Sequence, residues 1–348
     1  MDQETQETQE PGDGSNPAAG PYDAGPGPAV GRRRGGAWFA GLLLIVPTVV
    51  VACRAADTDA VTPVPQLLAF LPWLLVPAGV ALLAALAGRH RVLIAWAVAV
   101  LAMTGWFVRP YDVGLTEKPP GPAVARVDVL TANLEFGAAT DALLATLARE
   151  RPGLVFVQEC TAACSDALAA GVSRADYPYR HVVEAGGAAG SAILSRYPLA
   201  PAAGVRSVLA MPAATADIAG RSVDLQLAHP LPPVPEALAD WRRELGLLRD
   251  RAAATGDGPA VVAGDFNATQ DHAAFRGILR AGGLRDSTRL AGASRTPSWP
   301  AGLPRPLGAQ IDHVLVSEDF SVRSARFLDL GGTDHRALLV ALELHDVR

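Results

Sequence analysis

The chain has 348 residues, 50% hydrophobic and only 6% aromatic, with a formal net charge of −5, a length that predicts one large domain plus a further element. From residue 121 onward 22 Arg are set against 25 Asp plus Glu, a mildly acidic balance that excludes general electrostatic attraction to nucleic acid. Three cysteines cannot build a disulfide framework, and no C-x-x-C pair points to structural zinc.

Residues 1–36 are rich in Gln, Glu, Gly and Pro and read as a disordered cytoplasmic tail. The tail ends in "GRRRGG", and no charge appears in the following "AWFAGLLLIVPTVVVAC", residues 37–53. Two more uncharged stretches run over 67–88 and 92–108. Each approaches the roughly 20 residues a helix needs to cross the hydrocarbon layer. Buried core helices are the plain alternative, and three such runs in succession count against it. Arg32, Arg33 and Arg34 precede the first run, Arg89 and Arg91 lie between the second and third, and the loop 54–66 has one Arg against two Asp. That asymmetry predicts a cytoplasmic tail and second loop, with everything after Val108 outside the cell. Trp38, Trp73 and Trp106 fall near span ends, where aromatics anchor at the interface. "VVAC" at 50–53 resembles a lipoprotein cleavage box that would make Cys53 a lipidated N-terminus. The long leader and the two further runs oppose this, and either version leaves the C-terminal part extracytoplasmic.

After the Pro/Gly linker 109–122, short apolar runs with strand character alternate with Ala/Leu/Arg segments of helical period over residues 123–348. The alternation predicts an α/β domain. "VARVDVLTAN" ends at Asn133, "PGLVFVQE" at Glu159, "RSVDLQLAH" at His229, and "PAVVAGDFN" closes on Asp265 and Asn267. Any one such residue could serve a turn. The whole set instead predicts a ligand-binding rim where strand ends converge. Its chemistry suits a hard cation such as Mg²⁺, with Mn²⁺ as an alternative, that leaves room for a phosphate oxygen. Glu159 is the natural primary ligand, with Asn133 and Asp334 nearby. His229, His335 and Asn267 fit donor and acid/base parts, while Asp265, or His335 oriented by Asp312, could activate water.

"TANLEFG", "VFVQEC", "GSAILSRYPL", "LQLAHP", "AGDFNAT", "QIDHVLVS" and "GGTDHRALLV" resemble, in order, the signature segments of the endonuclease/exonuclease/phosphatase superfamily that includes DNase I. The resemblance covers about residues 125–345. It implies a four-layer α/β sandwich, two packed mixed β-sheets flanked by helices, with a Mg²⁺-dependent phosphoesterase site at one end. It implies that Glu159 binds the metal with help from Asn133, that Asp265 orients or deprotonates the attacking water, and that Asn267 holds the phosphate. His229 and His335 would stabilise the transition state or shuttle protons, with Asp312 paired to His335 and Asp334 on the metal side. Thr333 stands where Ser is usual, and the hydroxyl is kept. His181, His272 and His313 lie outside these segments and read as structural or exposed. Ser195 and Arg196 are candidate rim residues, and Cys160 with Cys164 leaves a local disulfide open.

Three apolar spans before an outward-facing domain of this kind look like the VanJ-type membrane phosphatases associated with teicoplanin resistance. That resemblance implies a lipid-linked, undecaprenyl-type pyrophosphate as substrate, the bilayer as partner and a role in cell-wall metabolism. No basic stripe with interleaved aromatics follows residue 121, so a nucleic-acid groove is not visible. A surface nuclease using the same residues is the alternative, and a non-catalytic binding module the third reading. The apolar "HPLPPVPEAL" after His229 reads as a stiff surface loop, or as a segment resting on the membrane.

Overall fold

A computed structural model describes residues 28–109, 119 and 121–346. The expected tail up to residue 27 and most of the expected linker, 110–118 and 120, lie outside the described residues. Helix α1 (Pro28–Ala55) extends past the expected span 37–53 at both ends. The second run is not the uninterrupted helix expected over 67–88. It forms α2 (Val64–Ala69), a 3₁₀ turn (Leu71–Leu74) and α3 (Leu75–Gly88). In a continuous helix the ring of Pro72 would meet the carbonyl of Leu68. Helix α4 (Arg91–Val108) follows as expected.

Gly35–Ala55, Leu71–Gly88 and Arg91–Val108 are each long and apolar enough to cross a membrane. Small side chains, among them Ala40, Ala78, Ala81, Ala85 and Ala97, fill the contacts between these helices, which lets the backbones approach closely. Leu42, Ile45, Leu83 and Val92 point outward, as a lipid-facing surface requires.

The remaining chain forms two six-stranded mixed sheets packed face to face. The first contains β1 (Ala123–Asn133), β2 (Leu154–Gln158), β3 (Tyr179–Val183), β4 (Ser191–Ser195), β11 (Phe320–Asp329) and β12 (Arg336–His345), in the order β11-β12-β1-β2-β4-β3. The second contains β5 (Leu199–Val205), β6 (Met211–Ile218), β7 (Arg221–Ala228), β8 (Ala260–Asp265), β9 (Arg285–Asp286) and β10 (Asp312–Val316), in the order β5-β6-β7-β8-β10-β9. Val127, Val129, Phe156, Leu225, Val261 and Val340 interdigitate between the sheets. Leu143 of α5 (Thr140–Glu150) and Leu168 of α6 (Ala162–Gly171) cover the first sheet's outer face. Trp241 and Leu245 of α7 (Leu238–Ala254), with Phe275 and Ile278 of α8 (Ala273–Ala281), cover the second. A short helix α9 (Ser287–Leu290) follows β9. The central strands β2 and β8 are therefore buried on both faces and carry continuous apolar runs.

The loop between α1 and α2 fastens the helical array to the sandwich. Asp271, fully buried, accepts from Arg54 Nε at 3.2 Å and from Arg295 Nη2 at 2.9 Å. The Asp59 carboxylate takes the backbone N–H groups of Ala273 at 2.6 Å and Ala274 at 2.9 Å, so a residue more than two hundred positions away neutralises the first turn of α8. Asp57 pairs with Arg276 and Arg280. His272 accepts from the Thr269 N–H at Nδ1 and donates from Nε2 to the Pro65 carbonyl, both at 2.8 Å.

His272 is consequently held as the neutral tautomer, and burial pushes its pKa below the ordinary value, against the pull of Asp59 and Asp271. A histidine whose folded pKa is depressed binds fewer protons than in the unfolded chain, so its contribution to stability falls as pH drops below about 6.5. The thermal midpoint of the full chain should therefore fall less steeply on acidification in His272→Gln than in the wild type. Differential scanning of both proteins in detergent between pH 7.5 and 5 measures the difference.

Candidate active site

Parallel pairing brings the C-terminal ends of β1 and β2 side by side, and those of β7 and β8 likewise in the facing sheet. β12 and β10 run antiparallel to these pairs, so their first residues arrive at the same rim. Asp312 stands directly opposite Asp265 in the register of the second sheet. Asn133, Glu159, Asp334 and His335 from the first sheet thus meet His229, Asp265, Asn267 and Asp312 from the second.

Asn133 lies at the centre. Its Nδ2 donates to Glu159 Oε1 and to Asp265 Oδ2, each at 3.1 Å, and its Oδ1 accepts the Glu135 N–H at 3.0 Å. The other oxygen of Glu159 takes the Phe136 N–H at 2.9 Å, and His229 Nε2 lies 3.8 Å from Glu159 Oε1. His335 donates from Nδ1 to Asp312 Oδ2 at 2.9 Å, leaving Nε2 3.7 Å from both Asp265 Oδ2 and Asp334 Oδ1. The Asp265 carboxylate also accepts the Asn267 N–H at 2.8 Å, and the Asn267 amide donates to the Pro230 carbonyl at 3.0 Å. Thr333 donates its hydroxyl to the Asn133 carbonyl at 2.9 Å and accepts the His335 N–H at 3.1 Å, which any residue with a β-hydroxyl can do.

The backbone here is held in uncommon conformations. Glu135, Phe136, Glu159 and Asn267 have φ of 46°, 57°, 54° and 47°, a region that costs non-glycine residues about 1–3 kcal/mol each and persists only where surrounding bonds fix it. Two glycines permit close approaches beside the acids. A Cβ at Gly264 would sit 1.9 Å from the Ala228 carbonyl oxygen, and one at Gly190 would sit 2.0 Å from that of Cys160.

Burial and neighbours set the two histidines apart. Burial, aided by the neighbouring His335 charge, pushes His229 down to about 3, so it is neutral, and its Nδ1 is buried without a hydrogen-bond partner. Burial opposes charge on His335 too, but Asp312, Asp265 and Asp334 override it and raise this imidazole to about 10. Asp265 is raised to about 7, chiefly by burial and despite the pull of His335.

Asp265, Asp312 and His335 offer ligand atoms within 4.8 Å of one another, all buried. Asp312 Oδ1 is buried with no hydrogen-bond partner, an unmet acceptor that a cation or a proton would satisfy. The carboxylate and amide oxygens gathered here fit a hard divalent ion. This tightest trio differs from the expected ligand set of Glu159, Asn133 and Asp334; the two groups adjoin through the Asn133–Asp265 bond.

Residues 130–335 match the family described as the Endonuclease/Exonuclease/phosphatase family. The chain belongs to that family. Endonuclease/exonuclease/phosphatase enzymes hydrolyse phosphate esters with a divalent metal, and this chain is accordingly a metal-dependent phosphoesterase. Solved structures of similar fold include an endonuclease/exonuclease/phosphatase from Bacteroides vulgatus, at 19% identity and TM-score 0.48, covering 64% of this chain and 100% of that one. Truncated Caenorhabditis elegans TDP2 has 16% identity and TM-score 0.49, covering 63% and 98%. D. rerio TDP2 complexed with single strand DNA product has 14% identity and TM-score 0.50, covering 63% and 99%. At these identities the likeness is one of fold. No curated protein matches the chain significantly.

His313 lies outside the catalytic rim, buried between Asp286 at 2.8 Å and the Ala268 carbonyl at 3.0 Å. His181 bonds the Ala213 carbonyl. The segment holding Ser195 and Arg196 serves the fold and does not reach the rim: Ser195 pairs with Leu154, at the end of β2 away from Glu159, because β4 runs antiparallel to β2. Cys160 and Cys164 form a disulfide, which ties the residue after Glu159 to α6. Sequence reasoning missed Glu135, which accepts the Asp334 N–H at 2.7 Å, and Trp299, which donates to Asp334 Oδ2 at 2.7 Å. It also missed Trp241, which holds the Asn267 carbonyl at 3.1 Å. Trp299 and Trp241 carried a faint signal as single large aromatics in a chain poor in them.

If Glu159 holds the metal, replacing both Cys160 and Cys164 with Ala should raise the metal concentration for half-maximal activity by roughly 10-fold, the usual scale for loss of support behind a ligand, with little change at saturating metal. Metal titrations of both proteins provide the comparison. Gly264→Ala should destabilise the domain by more than about 3 kcal/mol through backbone overlap, measured as a drop in denaturation midpoint.

Proposed function

We propose that this chain is a membrane-anchored, Mg²⁺-dependent phosphatase of a lipid-linked, undecaprenyl-type pyrophosphate, acting at the outer membrane face in cell-wall metabolism. One observation carries the reading. The loops that leave the catalytic rim of the second sheet rest on the ends of the membrane helices: Pro233, after β7, accepts from Gln66, His272, after β8, bonds Pro65, and Pro306, before β10, accepts from Trp73 at 2.8 Å. These contacts support a site held beside the level at which a lipid head group would emerge. The Cys160–Cys164 disulfide supports an oxidising, extracytoplasmic setting, in line with the basic residues flanking the spans. The resemblance to VanJ-type phosphatases, and with it a link to glycopeptide resistance, belongs to the same proposal.

Glu159, assisted by Asn133 and Asp334, is assigned to the metal. Asp312 and His335 are already engaged with each other, which favours a proton-handling role for that pair. The bound ion would supply charge neutralisation at a phosphoryl oxygen. Asp265, raised toward neutrality, takes a proton from the attacking water as its oxygen bonds to phosphorus. The bridging P–O bond breaks, inorganic phosphate leaves, and the lipid monophosphate remains. Asn267 and neutral His229 donate hydrogen bonds to phosphoryl oxygens, and protonated His335 stabilises the charge that develops on them.

The full chain in detergent should release inorganic phosphate from a long-chain prenyl diphosphate, stop on chelation and recover with Mg²⁺. His335→Ala should lower the rate by about 10²–10⁴-fold. Rapid cleavage of plasmid DNA without phosphate release from the lipid would replace this reading with that of a surface nuclease.

A further inference from the structure

A cavity of about 550 Å³ lies between the membrane helices and the catalytic domain. Ala69 of α2, Pro72 and Trp73 at the start of the second candidate span, and Val108 at the end of α4 line one side. The opposite wall is the segment leading into β10, with Pro297, Pro306 and Ala309. The surface between these walls is mainly apolar, and its volume falls in the range of small-molecule sites.

The other face of that segment touches the catalytic centre. Ser298 accepts the Asp312 N–H at 3.1 Å, and Trp299 holds Asp334 at 2.7 Å. The segment 297–309 therefore borders both the cavity and the catalytic acids. Two guanidinium groups also line it. Arg295 is committed to Asp271 and to the Phe107 carbonyl. Arg305 is about half exposed, and its ion pair with Asp329 is long at 3.9 Å. Asp271 ties Arg295, on the cavity, to Arg54 at the end of α1.

We propose that this cavity receives the apolar chain of an amphiphilic phosphate substrate rising from the bilayer, with Arg305 at its polar edge, while the phosphate occupies the catalytic rim. The occupant follows from the lining: Pro72, Trp73 and Val108 are at ends of candidate spans, which sets the cavity beside the level of a bilayer, and a cation beside an apolar surface matches a ligand that is apolar in one part and anionic in the other. The inference rests on the proposed function and deepens it by giving the lipid chain its own subsite.

The test uses the full chain in detergent micelles and a farnesyl diphosphate analogue bearing benzophenone at the end of its chain. Photolabelling is expected on residues 69–73 and 306–309 and should be competed by farnesyl diphosphate. Ala69→Phe, which fills the cavity from the helix side, should reduce labelling and slow farnesyl diphosphate hydrolysis by about 10-fold or more, leaving hydrolysis of water-soluble bis-p-nitrophenyl phosphate unchanged. Labelling elsewhere, or equal effects of Ala69→Phe on both substrates, would overturn the inference. Competed labelling of the cavity by a wild-type protein that releases no phosphate from the lipid would uphold the subsite and fail the proposed function.

Discussion

The site depends on one side-chain amide placed between two acids. Glu159 ends a strand of one sheet and Asp265 a strand of the other, and Asn133 gives a hydrogen to each. Two carboxylates brought together in a buried rim repel each other unless something donates to both. An amide does so without adding a charge, and hydrogen bonds to ionised acceptors are among the stronger ones available. The bond to Asp265 also crosses between the two sheets, so the apolar packing of Val129, Leu225 and Val261 beneath it and the polar contact at its edge fix the same spacing. Parallel strands at the centre of each sheet are the topological condition, because they deliver Asn133 with Glu159, and His229 with Asp265, to one end.

From that placement follows a division between the histidines. His229 has Glu159 across 3.8 Å and a weaker pull from Asp312, but burial and the neighbouring His335 charge outweigh them and the ring stays neutral. His335 is as thoroughly enclosed but has Asp312, Asp265 and Asp334 around it, so its neighbours decide and it holds its proton. Residues of the same type in one rim thereby gain opposite capacities. Pairs of titratable groups pushed apart by environment are how sites of this kind separate proton donors from neutral hydrogen-bonding groups.

The sheet core and the rim were largely legible, because buried parallel strands read as apolar runs and the acids, amides and imidazoles interrupt those runs at their ends. Strand direction was not legible. Ser195 follows an apolar run just as Glu159 does, yet β4 runs opposite to β2 and carries it to the far end. The loop residues Glu135 and Trp299 act through single contacts with no periodic pattern to announce them. The interruption of the second membrane run was written in Pro72, but hydropathy averages over such a residue. Least visible was the contact of Asp59 with α8. Capping is ordinarily read from neighbours in sequence, and His272, at the cap position of α8, supplies no side-chain bond to the helix.

That distant cap bears on how the domain meets the apolar helices. A domain held only by a flexible linker gains local concentration but samples every orientation. Here Asp59, Asp57 and Arg54, all between the first two apolar runs, grip α8 and its approach, while Arg295 reaches the end of α4 through the Phe107 carbonyl. Two separate spans therefore hold one domain, and two attachment points remove rotations that a single tether would allow. Asp271 is fully enclosed between two guanidinium groups, and losing either would leave a poorly compensated buried charge, a far larger cost than breaking a surface pair. The placement of the catalytic rim relative to the helix ends therefore depends on buried electrostatics around Asp271, where the end of α1 meets the approach to α8.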